Sequence, residues 1–337
     1  MAFERKYLLF LVLLGFTVYF FYILILNLDI EIIKSYSSQI NYLYLILAFG
    51  MYVGMNSLRT VRLKLIFKGE QTFFHYYPIN SYHTAFNRII PYRLGELTLL
   101  HFMKRNNIPL KTSFAALLFM KGVDFIFSGV FFLLIFILFL SMLINPILYL
   151  IGVGIVFMIS VGTLGFLIFV NRVPRWAAFF QAKIPIKFIQ SILTFLSETA
   201  ENIIIFKQDN KLSRIILISG VIRLIQLAET VVIFIALNVS FPTLLIVLND
   251  LFLGFAELIP LSILANFGYY ELTFSILIES QRDAYWIPNA YNFAIFWHLI
   301  ALGFMLLNLL FGLGIDFILK LKRKHQRLGV GNQEINR

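Results

Sequence analysis

The chain has 337 residues, of which 60% are hydrophobic, 17% aromatic and only 13% charged, a balance that excludes an ordinary soluble enzyme. Its formal net charge is +11, and it contains no cysteine, which removes disulfides, thiolate metal sites and a cysteine nucleophile. The composition instead predicts an all-α, polytopic integral membrane protein, because several segments reach the ~20 apolar residues that a bilayer crossing needs.

In chain order, segment 7–26 follows Arg5-Lys6 without a charge and lacks a small-residue cleavage site before Asn27, so it is expected to be a signal anchor. Five more full crossings are expected at 40–56, 113–142, 146–170, 214–238 and 288–319. Two further apolar stretches are broken. Stretch 72–102 is interrupted by the run from Asn87 through Arg88, Pro91, Arg93 and Gly95 to Glu96. Stretch 243–278 is interrupted by Glu257, Pro260, Asn266, Gly268 and Glu271. Each arm is too short to span comfortably, and Pro91, Gly95, Pro260 and Gly268 stand where a helix should break. Both stretches read as re-entrant hairpins shielded from lipid by the other helices.

Charge sets the expected orientation. Segment 57–112 holds nine Lys and Arg, segment 171–214 seven and the tail from Lys320 six, whereas loops 27–39 and 279–287 hold only Lys34 and Arg282. The positive-inside rule then puts both termini in the cytoplasm of a multi-pass cell-membrane protein, provided each broken stretch returns to its own side. The organisation is a single membrane domain: a first half 1–170, an amphipathic cytoplasmic connector 171–213, a second half 214–319 and a basic tail 320–337. Within each half a span, a hairpin and a span follow one another, and the second trio is the first turned upside down. Inverted repeats with opposed broken helices are a transporter architecture with substrate bound near the midplane. In the connector, Lys187, Gln190, Thr194, Ser197 and Glu201 form one polar stripe, expected along the membrane surface.

Ionisable residues inside spans cost about 2.5–3.5 kcal/mol each on insertion scales, so they are candidate functional groups. Lys121 and Asp124 share a helix face and can neutralise each other. Arg223, Gln226, Glu229 and Thr230 make a second polar strip. Asp250 and Glu257 lie seven apart, roughly 10 Å along a helix axis, and need cationic partners, Arg223 being one candidate. The alternative for every pair is a structural ion pair holding helices together, while the deeper position of Arg223 and Glu229 in the membrane favours a place on the pathway. In the first hairpin, Arg88 and Arg93 flank the break and Glu96 starts the next half-helix, where the dipole favours negative charge. Half-helix N-termini beside guanidinium groups suit a phosphate. The second hairpin offers Glu257 and Glu271, so a zwitterionic lipid head would place its phosphate on Arg88 and Arg93 and its amine on the two carboxylates.

The run Pro91-Tyr92-Arg93-Leu94-Gly95-Glu96, with Lys121-Gly122-Val123-Asp124 downstream and Pro260 followed by Gly268-Tyr269-Tyr270-Glu271, resembles the flippase-like lysylphosphatidylglycerol synthase transmembrane family over roughly residues 5–320. That resemblance implies lipid translocation, with the family's charged residues matching Arg93, Glu96, Asp124 and Glu271. The chain departs from the pattern at Met120-Lys121, where the family has Glu-Arg, at Ser262–Phe267, where it has Pro-Gly-Gly, and at His298, where it has Arg. Only 18 residues follow Leu319, so no aminoacyl-transferase domain is expected.

No phosphate-binding loop of the Gly-x-x-x-x-Gly-Lys type and no metal-spaced histidines occur, so no cofactor and no metal are expected. The basic tail lacks interleaved aromatics and fits a membrane surface better than nucleic acid. The expected function is a lipid flippase-like transporter whose partners are membrane lipids: an anionic or zwitterionic phospholipid, or a polyprenyl-phosphate-linked lipid. A homo-oligomer stays open. The alternatives are an intramembrane glycosyl- or acyl-transferase acting on a lipid carrier, and an accessory membrane subunit.

Overall fold

Asp29 opens the first fully described helix, its carboxylate accepting the amides of Glu31 and Ile32 at 2.9 and 3.2 Å, as an N-cap should. The computed structural model describes residues 28–67, 71–90, 95–139, 146–239, 241–256 and 290–334, with single positions at 15, 19, 22, 25, 26, 267, 271, 274 and 275. Most of the anchor 7–26, the breaks Pro91, Pro260 and Gly268, and most of the second arm of hairpin 243–278 lie outside the described residues.

The described elements are helical: α1 (Ile30–Ser38), α2 (Tyr42–Ile66), α3 (Phe73–Ile89), α4 (Glu96–Arg105), α5 (Leu110–Phe139), α6 (Pro146–Phe169), α7 (Val173–Lys183), α8 (Lys187–Gln208), α9 (Leu212–Ala236), α10 (Thr243–Ala256) and α11 (Ala290–Glu334). Among the described residues four helices are long and apolar enough to cross a membrane, within α5, from α6 into α7, in α9 and in α11. The chain is therefore a polytopic membrane protein. Helix α2 has the length of a crossing at 25 residues but is less apolar, since it runs ten residues past the expected end at Asn56. Arg59 and Arg62, counted above with the cytoplasmic loop, belong to that helix.

Helices α3 and α4 are the two arms of a helical hairpin. The free ends of its arms meet where His75 Nε2 pairs with Asn106 Oδ1 at 2.7 Å, and Tyr82 packs on Phe102 with ring centroids 5.1 Å apart. At its tip, Gly95 has ordinary helical dihedrals (φ −57°, ψ −24°), so it is not required there for conformational freedom. A Cβ on Gly95 would stand 2.1 Å from the Phe86 carbonyl oxygen and 2.4 Å from Asn87 Cα. The two arms touch backbone to backbone, and only glycine permits it.

Helices α2 and α9 run antiparallel: Arg62 bonds Ser219 at one end, and the Asn41 amide donates to the Ala236 carbonyl at 2.7 Å at the other. The first hairpin leans on the last helix. Tyr77 donates to Asn308 at 2.7 Å, Tyr82 to Asp316 at 2.9 Å, and Ser81 sits against Gly312, where an added Cβ would come within 2.6 Å. Helix α10, the first arm of the second broken stretch, leans on α5 through Phe125–Phe255 and Phe132–Phe252. Helices α5 and α6 approach through small residues, Gly129 facing Ser160 and Gly122 facing Thr163, as close helix pairs in lipid do.

Two apolar clusters result. One gathers Phe132, Phe234, Phe274, Phe293, Trp297 and Phe304 from α5, α9, α11 and the segment at 274. The other joins Leu63, Ile79, Met103, Phe119 and Ile203 from α2, α3, α4, α5 and α8. Helices α7 and α8 pair through Gln181 and Thr194 at 2.9 Å and dock on one end of α5 and α6, through Lys111–Glu198, Thr112–Asn202 at 3.0 Å and Lys207 to the Leu167 carbonyl at 2.6 Å. Their outer face leaves Trp176, Phe179 and Phe188 exposed.

Candidate functional site

Residues of both apolar clusters border a polar cavity of about 270 Å³, walled by α2, α3, α5, α9, α10 and α11. Its charged lining is Arg59 and Arg62 from α2, Arg88 from α3, Lys121 and Asp124 from α5, Arg223 and Glu229 from α9, and Asp250 from α10. Tyr52, Asn80, His83 and Gln226 add uncharged polar groups. So many charges survive inside a membrane protein because each either finds a partner or faces the cavity.

The pairings cross between helices. Lys121 and Asp124, one turn apart, do not neutralise each other. Asp124 takes both ends of the Arg62 guanidinium, one of them at 3.0 Å, and Lys121 binds Glu96 at the start of α4. Arg62 also donates to Ser219 at 2.8 Å, so one side chain ties α2 to α5 and α9. This planar two-pronged geometry is what a guanidinium offers and an ammonium lacks. Nearby, Asn80 reaches the Asn56 carbonyl at 3.2 Å and fastens α3 to α2.

Arg223 and Glu229 likewise go separate ways. Arg223 Nη2 stands 3.9 Å from Asp250 Oδ2, and Thr230 donates to Asp250 Oδ1 at 3.2 Å, so the expected cation beside Asp250 is present. That contact is long, and Arg223, only 7% exposed, leaves Nε and Nη2 without a hydrogen-bond acceptor among the described residues. Gly254 makes room for it: an added Cβ there would lie 3.2 Å from Nη2. Arg59 is half-buried on the cavity wall and has no ion-pair partner among the described residues. Among the described residues, buried donors of Arg223 and the Nε of Arg62 thus find no acceptor, and Arg59 has no ion-pair partner.

Of the residues singled out from sequence, Arg88, Lys121, Asp124, Arg223, Glu229 and Asp250 line this one cavity. Glu96 lines an apolar groove next to it, between α4, α5 and α6. Glu271 is not on the wall: it is fully buried against His298 Nδ1, over which Phe267 packs with ring centroids 4.5 Å apart. Arg93 and Glu257 lie outside the described residues. Sequence reasoning missed Arg59, Arg62 and His83. Tyr52, Asn56 and Arg59 recur at helical spacing, and that polar face was the available signal. Among the described residues no group of three His, Asp or Glu side chains could hold a metal ion.

A family model for the lysylphosphatidylglycerol synthase TM region matches residues 8–314. No curated protein and no solved structure matches the chain. The match spans most of the sequence, and the chain belongs to the lysylphosphatidylglycerol synthase TM region family.

Proposed function

Starting from that membership, we propose that the protein is a flippase-like transporter which moves a phosphate-bearing membrane lipid between leaflets by passing its headgroup through the charged cavity. The observation that carries this reading is a pair of guanidinium groups on one cavity wall: Arg223, whose buried Nε and Nη2 find no hydrogen-bond acceptor among the described residues, and Arg59, which has no ion-pair partner among them. A buried cation without a full complement of partners is costly, and a phosphate oxyanion supplies the missing acceptors in geometry suited to arginine. Arg88 stands on the same wall, so the expected phosphate site keeps Arg88 and gains Arg59 and Arg223.

The architecture fits such a role. Hairpin α3–α4 and the broken stretch beginning with α10 follow equivalent helices, α2 and α9, and those two run antiparallel. Each first arm packs on the span that closes the other trio, α3 on α11 and α10 on α5. This exchange is what an inverted repeat predicts, with the site between the halves. Both termini would then face the cytoplasm of the cell membrane, with the exposed aromatics of α7 and α8 resting at its surface.

Reconstituted vesicles containing a fluorescent phosphatidylglycerol, scored by quenching of the outer leaflet, test the proposal. Arg59→Gln and Arg223→Gln are expected to reduce lipid movement at least tenfold while expression persists; wild-type rates in both would defeat the assignment. Leaflet-resolved lipidomics of cells lacking the protein separates transport from lipid-transferase chemistry. Transport leaves the same lipids on a different leaflet, and a transferase changes their covalent structure.

A further inference from the structure

The apolar groove has about 690 Å³ of space, more than the charged cavity, and it is bounded outward by exposed Leu97, Leu118, Met158 and Phe166. On its inner side it shares Leu117, Lys121 and Phe125 with the cavity, so the same stretch of α5 is a wall of both. Gly162 opens it further: a Cβ there would meet nothing within 4 Å. Its charged groups are Glu96 and Lys121, bound to each other where the two spaces meet.

A water-soluble phosphate ester would use the cavity and have no need of the groove. An amphiphile needs both, one for each end. We infer that the groove between α4, α5 and α6 holds a hydrocarbon chain of the same lipid whose phosphate occupies the cavity, and that the Glu96–Lys121 pair is the gate between them. The inference rests on reading the cavity as a headgroup site. Lys121 faces both spaces, so a phosphate entering from the groove exchanges one anion, the Glu96 carboxylate, for another. Exchange avoids stranding a bare ammonium in low dielectric, which a simple opening would require.

The test is to fill the groove without touching the cavity. Gly162→Phe places a ring in open space, and Leu97→Trp narrows the groove from the opposite wall, so a folding failure in one leaves the other. Each protein, purified in detergent, is weighed by native mass spectrometry for retained phospholipid, and the Tm is followed with sn-glycerol 3-phosphate. The expected result is a tenfold or greater loss of retained phospholipid and of lipid movement in the groove variants, with the sn-glycerol 3-phosphate shift in Tm kept at the wild-type size. Groove variants that retain and move lipid as the wild type does would overturn the inference, since the hydrocarbon chain then lies elsewhere. A wild type that shows the sn-glycerol 3-phosphate shift but neither retains nor moves phospholipid would overturn it in favour of a water-soluble phosphate ester. Failure of the cavity reading has a different signature: no Tm shift in the wild type, together with undiminished lipid retention in Arg59→Gln. That result would also overturn the inference, whatever the groove variants do.

Discussion

Arg59 and Arg62 sit one turn apart on α2 and are expected to behave as opposites. Arg62 uses both terminal nitrogens on the protein, forked onto Asp124 and bonded to Ser219, so Arg62→Gln strands a carboxylate and loosens three helices. Breaking a fully buried pair costs about 3–5 kcal/mol; because the Asp124 side chain is 37% exposed to the cavity, about 2 kcal/mol is expected here. The double variant Arg62→Gln/Asp124→Asn should recover much of the loss, and a thermal-unfolding double-mutant cycle measures the coupling. Arg59→Gln should leave Tm within a degree or two and abolish lipid movement. If Arg59→Gln instead destabilises as Arg62→Gln does, its role is structural. Sequence spacing singled out Lys121 and Asp124 but neither Arg59 nor Arg62, and it named no partner correctly for Lys121 or Asp124. Lys121 and Asp124 stand close enough to pair, yet each finds a better-placed opposite charge on a neighbouring helix, and an i,i+3 interval holds no record of that neighbour.

Among the elements, the hairpin α3–α4 shows how packing overrides the local reading of a residue. Gly95 was legible as a break, but the dihedrals there are ordinary and the constraint is the other arm's backbone. Helix α2 was expected to end at Asn56 because charge normally ends a membrane span; it continues to Ile66 because Arg59 and Arg62 face a polar cavity instead of lipid. The apolar runs of α5, α6, α9 and α11 were readable within a few residues, since lipid-facing surface demands them. The contact of α3 with α11 is tight enough to test directly. Gly312→Ala brings a methyl within 2.6 Å of Ser81 Cβ and should cost about 1–3 kcal/mol by overpacking. Adding Ser81→Gly removes the obstacle, and detergent-solution Tm of the single and double variants should fall and then recover.

For the molecule as a whole, the lack of any native cysteine makes sidedness measurable with single introduced thiols. Lys34→Cys on α1 and Lys183→Cys at the end of α7 are both exposed. A membrane-impermeant maleimide applied to intact cells should label the first, and the second only after the membrane is opened; the reverse pattern would place the basic connector outside. Charge asymmetry is what the expected orientation rests on, whereas the exchange of first arms between halves left no mark in the sequence, because only contacts reveal which half an arm leans on.

That exchange also limits how the protein can be made and moved. A rigid swing of one half against the other would peel α3 from α11 and α10 from α5, so each moving body has to include a helix borrowed from its counterpart. By the same token, a gene cut between α8 and α9 should yield two polypeptides that are degraded when expressed singly and survive when expressed together, each clasping what the other lacks.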